Sequence, residues 1–297
     1  MKNPLLYRSS QSAATSWRTI ICTAFLLNGT LAAISRSQNY AFPWRQTNAP
    51  NAPTIQTIPT PAGFQRIDAT RNTFADWLRS LPLKEENNRV LLYNNRLKLN
   101  QSAHYKVLAI DLGDKDLQQC ADAVMRLRSE YLFGQKRFGD IAFNFTSGDR
   151  AAFDKWRGGY RPQVRGNKVT WQRTAQRDSS YKSFRAYLNT VFTYAGSHSL
   201  SRELHTVSEV KTLQIGEVFI QGGFPGHAVI VVDLALHPDT KQKIFLLAQS
   251  YMPAQEIHIL KNPRDDGLSP WYAIQATDKL YTPEWTFEWK DLKRFEE

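Results

Sequence analysis

Residues 215–260 read IGEVFIQGGFPGHAVIVVDLALHPDTKQKIFLLAQSYMPAQEIHIL, and they contain four apolar segments separated by turn residues. The segments are Glu217-Val-Phe-Ile-Gln221, His227-Ala-Val-Ile-Val-Val-Asp233, Ile244-Phe-Leu-Leu-Ala-Gln249 and Glu256-Ile-His-Ile-Leu260. Each is rich in Val, Ile, Leu or Phe, which is typical of β-strands. The short connections between them predict an antiparallel meander.

Helices are predicted in the part of the chain that precedes this meander. The clearest one covers residues 115–133, since its apolar residues recur at spacings of three and four. Shorter helices are predicted over residues 73–81 and 180–194. Helices followed along the chain by antiparallel strands indicate the α+β class. We therefore predict one globular α+β domain over residues 63–297, an antiparallel sheet flanked by helices.

Composition excludes several classes of protein. The chain has 297 residues, of which 42% are apolar and 12% aromatic, too many for wholesale disorder. Mean hydropathy is negative, and no apolar run of about 18 residues follows the first forty positions, which excludes a polytopic membrane protein. Lys and Arg give a net charge of +11, which favours an anionic partner. Two cysteines are too few for a disulfide-stapled miniprotein or a zinc-finger array.

The N-terminal part of the chain predicts an exported protein. In residues 1–35, basic residues without any acidic one precede a short apolar run, and small residues follow it, as in a secretory signal peptide. A retained N-terminal anchor is the alternative for this segment. Residues 36–62 carry five prolines among polar residues, which predicts a Pro-rich linker. The expected location is the periplasm or the cell surface of a bacterium.

Export makes one cysteine important. Cleavage of the signal removes Cys22 and leaves Cys120 as the single thiol. A lone cysteine in an oxidising compartment is either buried and inert or retained for its reactivity. Cys120 lies on the apolar stripe of the predicted helix over residues 115–133, so a small buried hydrophobic residue is the alternative to a nucleophile.

A histidine in the meander is the candidate partner of this thiol. His227 follows the glycine-rich bend at residues 222–226 and opens an apolar strand, so its ring borders the loop. A symmetrical hairpin about Pro238 places Gln249 opposite His227, within a residue or two of register. An amide oxygen that orients an imidazole is half of a thiol-hydrolase site. His258 on the following strand is the alternative orienting residue.

This arrangement resembles the papain-like cell-wall hydrolases of the NlpC and CHAP types. The shared features are a strand entered through a Gly-bearing turn, a histidine at its start and a polar residue on the next strand. The resemblance covers residues 215–260 and the helix that bears Cys120. It implies a papain-like fold in which Cys120 is the nucleophile, His227 the general base and Gln249 the orienting group.

Two features depart from the papain-like pattern. Those enzymes place the cysteine in the first turn of its helix, where the helix dipole lowers the thiol pKa. A helix capped by Asp114 would instead place Cys120 in the second turn. Cys120 and His227 are also 107 residues apart, a long interval for these small folds. A later helix start, or an insertion such as residues 155–171, would remove both discrepancies.

Over nearly its whole predicted domain the chain also resembles an uncharacterised family of exported bacterial domains. The blocks that carry this resemblance are residues 116–128, 225–233 and 247–260. They are longer and more specific than the papain-like features. This second resemblance implies no activity.

Residues 155–171 interleave aromatic, basic and glycine residues, which fits stacking on sugar rings or contact with an acidic polymer. The candidate substrate-binding residues are Trp156, Tyr160, Arg161 and Trp171. The alternative is a solvated hairpin whose aromatic side chains pack inward. Export and the lack of a recognised nucleic-acid motif argue against a nucleic-acid partner.

Other chemistries have weaker support in the sequence. Glu130, Asp140 and Asp149 are candidates for a glycosidase pair, which needs two carboxyl groups about 5–10 Å apart. No carboxylate or second histidine stands at ligand spacing from His258, so we expect neither a metal nor a cofactor.

The sequence therefore supports two functional hypotheses. The first is an exported thiol hydrolase of the bacterial envelope that cleaves amide bonds, with peptidoglycan peptides as the natural substrate. The second is a non-catalytic protein that binds envelope glycans through a basic and aromatic surface. A cell-envelope polymer is the expected partner in both, with a membrane contact only if the N-terminal segment is retained as an anchor.

Overall fold

The computed structural model describes residues 40–45, 52–274 and 278–296. The predicted signal segment, residues 1–35, lies outside the described residues. Among the helices in these ranges, none is both long and apolar enough to cross a membrane. A large antiparallel sheet with helices packed on it confirms the predicted α+β class.

The described ranges contain five α-helices. They are α1 (Phe74–Arg79), α2 (Cys120–Gly134), α3 (Phe153–Arg157), α4 (Tyr181–Tyr194) and α5 (Ser197–Glu203). The predictions for residues 73–81 and 180–194 are confirmed to within two residues at each end. Both helices start at a hydroxyl side chain, since Thr73 caps α1 and Ser180 caps α4 by accepting a backbone N–H.

The strands form one large sheet and three separate hairpins. In chain order they are β1 (Gln65–Arg66), β2 (His104–Val107), β3 (Ala142–Asn144), β4 (Arg150–Ala152), β5 (Tyr160–Arg165), β6 (Lys168–Arg173), β7 (His205–Thr206), β8 (Val218–Gln221), β9 (His227–Leu236), β10 (Lys243–Gln249), β11 (His258–Leu260), β12 (Tyr272–Ala273), β13 (Lys279–Tyr281), β14 (Thr286–Glu288) and β15 (Leu292–Arg294). The large sheet has the order β2-β11-β10-β9-β8-β15-β7, with β1 paired to β9 and β12 to β10. The predicted antiparallel meander is thus confirmed as β8 to β11.

Strand register brings Gln249 near His227. Ala248 pairs with Ile230 across β10 and β9, so Gln249 lies diagonally across from His227 rather than directly opposite. An irregularity between Leu246 and Leu247 reduces this displacement from three residues to two. Because the displacement is two residues, both side chains still project from the same face of the sheet.

Strand β9 lies in the middle of the sheet, and residues 227–235 are all buried. Ala228, Ile230 and Val232 face the hydrophobic cluster that contains residues of α2. The alternate residues of the strand face a second cluster, which includes Phe287 of β14. Helices therefore cover one face of the sheet and the β13–β14 hairpin covers the other.

Helix α2 begins five residues later than predicted. Residues 115–119 are held in turns because Asp116 Oδ1 accepts the N–H of Ala254, at 2.6 Å, from a distant loop. Gln119 is the N-cap, with an extended backbone and its N–H bonded to Asp122 Oδ2 at 3.0 Å. Cys120 is consequently the first residue of the helix, and the expected position in the second turn was wrong.

Part of the predicted linker is packed against the domain. Ile55 and Ile58 are buried in the first hydrophobic cluster. Phe42 is also buried there, with its ring centroid 6.1 Å from that of Trp77. The folded part therefore begins before residue 63, because these apolar residues among the prolines have surface to bury.

Candidate active site

The start of α2 meets the start of β9. Cys120 Sγ lies 4.0 Å from the carbonyl oxygen of Gly226, and the N–H of Ala228 favours its thiolate. These two residues flank His227. Cys120 packs on the first hydrophobic cluster, whereas the ring of His227 stacks on Phe287 of the second cluster.

The bend before His227 requires glycine for steric reasons. A Cβ atom on Gly226 would lie 2.3 Å from Ser197 Oγ and 2.7 Å from the carbonyl oxygen of Gln221. Gly222 is equally enclosed, since its Cβ would lie 2.1 Å from Ser201 Oγ. The glycines therefore let the backbone of this bend pack closely against α5.

The imidazole of His227 is oriented by Gln249. Nε2 of His227 and Oε1 of Gln249 are 2.8 Å apart, and both side chains are buried. An amide oxygen only accepts hydrogen bonds, so Nε2 carries the proton and donates it. Nδ1 is then the ring nitrogen with a lone pair, which is the form a general base requires.

Aromatic rings enclose this imidazole. Tyr251 meets it edge-on with centroids 4.8 Å apart, while Trp285 and Phe287 lie at 5.4 and 5.8 Å. Phe287 is almost parallel to the ring of His227, with 23° between the planes. The cage keeps water from the His227–Gln249 hydrogen bond, which strengthens it electrostatically.

Burial controls the protonation of both candidate catalytic groups. It raises the pKa of the Cys120 thiol to about 11, and the nearby Asp122 carboxyl adds to this rise. Backbone N–H groups of the helix start and of Ala228 oppose it. Burial also lowers the pKa of His227 to about 4. The resting pair is therefore a neutral thiol and a neutral imidazole.

His258, the alternative orienting residue, lies beside Gln249. It pairs with Gln249 across β11 and β10. Its Nδ1 lies 2.8 Å from the carbonyl oxygen of Glu256, and its Nε2 lies 3.4 Å from Gln249 Nε2. Burial lowers the pKa of His258 well below its usual range. His258 thus contacts the orienting amide and not the imidazole of His227.

A Lys–Glu ion pair that was not predicted from the sequence lies beside Gln249. Gln249 Nε2 donates to Glu284 Oε2 at 2.8 Å, and Lys98 pairs with the same carboxylate. Lys98 comes from an irregular segment and Glu284 from the turn between β13 and β14. The two are 186 residues apart, so no local spacing could have connected them.

The predicted substrate-binding residues lie on or beside the hairpin β5–β6. Trp156 is only 6% exposed, and the guanidinium of Arg161 covers its ring at 3.9 Å from the centroid. Trp171 is partly buried, with Lys155 Nζ 4.9 Å from its ring centroid. Tyr160 is 38% exposed and is the most accessible of the three aromatic residues.

The three carboxylates considered for a glycosidase are engaged separately. Glu130 is buried on α2 and accepts a hydrogen bond from Arg126 at 3.3 Å. Asp140 forms an exposed ion pair with Arg137 at 2.6 Å. Asp149 lies at the turn between β3 and β4. In the described ranges, no group of three His, Cys, Asp or Glu side chains is arranged to hold a metal ion.

Comparison with known proteins identifies the family. The family described as Domain of unknown function (4846) matches residues 55–294, which include every residue of the candidate site. The chain belongs to this family. The predicted membership of an uncharacterised family is thereby confirmed, and the DUF4846 match starts at Ile55, a buried residue of the predicted linker. No curated protein and no solved structure matches this DUF4846 protein.

Proposed function

We propose that this DUF4846 protein is an exported thiol hydrolase of the bacterial envelope that cleaves amide bonds in peptidoglycan peptides. The observation that carries the proposal is the placement of Cys120 at the first residue of α2, with Sγ beside the backbone of Gly226 and Ala228, the two neighbours of His227. The ring of that histidine is in turn oriented by Gln249. Nucleophile, base and orienting group are the three parts that papain-like chemistry needs.

In the acylation step, Cys120 Sγ forms a bond to the carbonyl carbon of the substrate while its proton passes to Nδ1 of His227. The carbonyl electron pair moves to oxygen, which the backbone N–H groups of the first turn of α2 stabilise. When the C–N bond breaks, the amine leaves with the proton from His227. The product is a thioester on Cys120.

Deacylation reverses these roles. A water molecule gives one proton to Nδ1 of His227 as its oxygen bonds to the acyl carbon. The C–S bond then breaks, the carboxylic acid is released, and Sγ recovers the proton from His227. The resting neutral pair is restored, in agreement with the raised pKa of Cys120 and the lowered pKa of His227.

Digestion of purified peptidoglycan by the full chain tests this proposal. We expect new amino and carboxyl ends, identified by mass spectrometry of the soluble products. Cys120→Ala removes the nucleophile and is expected to lower their release at least about 100-fold. Lys182→Ala, at an exposed position of α4, is the control and should leave the rate unchanged. Equal digestion by Cys120→Ala, or none by the wild type, contradicts the proposal.

A groove favours the second candidate function, a non-catalytic glycan-binding protein. It has a volume of about 420 Å³ and lies between hairpin β5–β6, helix α4 and the segment before α2. Arg161 and Trp156 line it on one side and Leu117 on another. The exposed basic residues of the hairpin suit an anionic polymer.

Binding and cleavage separate the two candidates. Sedimentation with purified cell-wall material measures binding without turnover. A glycan-binding protein retains this binding in Cys120→Ala and loses part of it in Tyr160→Ala. If the wild type binds but releases no products, the second candidate replaces the first.

A further inference from the structure

We propose that Glu284 is a positioning residue whose carboxylate holds the Gln249 amide in the one orientation that leaves Nδ1 of His227 unprotonated. The inference rests on the proposed function of Cys120 and His227. Glu284 lies in the turn between β13 and β14, with its side chain directed inward and 13% exposed. Its contacts explain why the neutral imidazole has one tautomer.

The carboxylate decides which end of the Gln249 amide faces it. Gln249 Nε2 and Glu284 Oε2 are 2.8 Å apart. An ionised carboxylate only accepts hydrogen bonds, so the amide must present its NH₂ group to Glu284. Oε1 of Gln249 then points to the other side, where it lies 2.8 Å from Nε2 of His227.

The orientation of the amide sets the tautomer of His227. With Oε1 facing it, Nε2 must carry the proton, and Nδ1 keeps its lone pair. A rotated amide would present NH₂ to Nε2, which would then have to accept and leave the proton on Nδ1. In that form His227 could not take a proton from Cys120.

His258 supports the same amide orientation. Its Nδ1 lies 2.8 Å from the carbonyl oxygen of Glu256, so Nδ1 donates and Nε2 is an acceptor. That Nε2 lies 3.4 Å from Gln249 Nε2 and can receive the second amide hydrogen. Two acceptors, one of them charged, thus face the NH₂ group of Gln249.

Lys98 makes the role of Glu284 testable. Its ammonium group is nearly buried and pairs with the Glu284 carboxylate. An ammonium group only donates hydrogen bonds. Without the carboxylate, we expect the Lys98 ammonium group to attract Oε1 of Gln249 instead. The amide would then rotate so that its oxygen faces Lys98. Loss of Glu284 should therefore reverse the tautomer of His227 instead of merely loosening it.

Nuclear magnetic resonance of ¹⁵N-labelled histidine side chains reads this tautomer without any substrate. At pH 7 the ring of His227 is neutral, because burial lowers its pKa to about 4. The spectrum of His227→Gln identifies its signals among the six histidines. We expect the proton on Nε2 in the wild type. A wild-type proton on Nδ1 overturns the proposal whether or not any variant folds.

Glu284→Ala is expected to move the proton to Nδ1. The double variant with Glu284→Ala and Lys98→Met removes the attracting cation as well, so His258 again orients the amide and the proton returns to Nε2. Glu284→Gln keeps an acceptor oxygen and should retain the wild-type tautomer. A folded Glu284→Ala with the proton still on Nε2 overturns the proposal, as does a double variant with the proton on Nδ1.

Digestion kinetics provide a second readout. We expect Glu284→Ala to lower kcat about 100-fold, the share of a general base, with little change in KM. The double variant should recover most of this loss, which a purely structural defect would not allow. If the tautomer depends on Glu284 but no amide is cleaved by any form, the positioning role stands and the proposed function fails.

Discussion

The hairpins β5–β6 and β13–β14 differ in what they bury. Hairpin β5–β6 has six paired positions, and its basic residues Arg165, Lys168 and Arg173 are exposed. Hairpin β13–β14 has three paired positions, yet Phe287 and Leu280 are buried in the second hydrophobic cluster. Its turn carries Glu284 and Trp285 to the candidate active site. The shorter hairpin therefore contacts the residues of the candidate site, while the longer one presents an exposed basic surface.

We expect the largest effect from a substitution of His227, whose side chain is covered by hairpin β13–β14. His227→Ala removes the proposed base and should lower peptidoglycan digestion about a thousandfold. Thr170→Ala, in hairpin β5–β6, is the control and should stay within about threefold of the wild type, because this exposed side chain belongs to neither the candidate catalytic nor the candidate substrate-binding residues. Comparable losses in both variants would mean that the two hairpins do not differ in this way.

Covering His227 has a consequence for stability in acid. Its pKa is about 4 in the folded protein and about 6.5 in an unfolded chain. Between these values the unfolded chain binds a proton that the folded protein does not, so stability falls as pH falls. The full contribution is present above pH 6.5, and the loss by pH 4 is about 3 kcal/mol.

Urea unfolding at several pH values measures that loss. His227→Gln should flatten the dependence between pH 6.5 and 4 by the contribution of this one group. Some slope should remain, because burial also lowers the pKa of His258. An unchanged slope in His227→Gln would show that this imidazole is not held neutral by its surroundings.

Matched tryptophan substitutions sharpen the contrast between the hairpins. Trp285→Ala admits water to His227, so its pKa should rise from about 4 toward the ordinary value, as followed by an NMR titration. We expect about a tenfold loss of digestion, because the hydrogen bond to Gln249 is no longer shielded. Trp171→Ala should leave the pKa of His227 unaltered. An equal rise of the His227 pKa in Trp171→Ala would show that the two hairpins do not differ in how they shield His227.

The smallest expected effect concerns the exposed charges of hairpin β5–β6. Replacement of Arg165, Lys168 and Arg173 by Gln removes three exposed basic groups. Binding to cell-wall material should weaken about threefold at low salt, and the difference should vanish at high salt. The cleavage rate for soluble peptides should not change. A lower rate on soluble peptides would place these charges in the catalytic site.

Local patterns predicted the parts of this fold that depend on neighbouring residues. Alternating turns and apolar runs predicted the meander β8 to β11. A symmetrical hairpin about Pro238 predicted the position of Gln249 relative to His227 to within two residues. The start of α2 did not follow, because apolar periodicity continues before Cys120. Asp116 ends that continuation through a contact with Ala254, 138 residues away.

In the candidate site, too, local patterns predicted only the contacts between residues that are close along the chain. His227 and Gln249 were predicted because a hairpin joins them, and their hydrogen bond is present at 2.8 Å. Glu284 was missed because only the packing of hairpin β13–β14 on the sheet brings it to Gln249. Composition also does not show that Arg161 covers the ring of Trp156, because that contact depends on how the hairpin packs.

The central claim is that Cys120 becomes acylated during amide cleavage. The most direct measurement is the mass of the protein in an acid-quenched reaction with peptidoglycan peptides, followed by peptide mapping. We predict a mass gain equal to the acyl fragment, located on Cys120 and absent from Cys120→Ala. Cleavage of the peptides with Cys120 unmodified throughout would contradict the account, and so would a thiol that stays unmodified while nothing is cleaved.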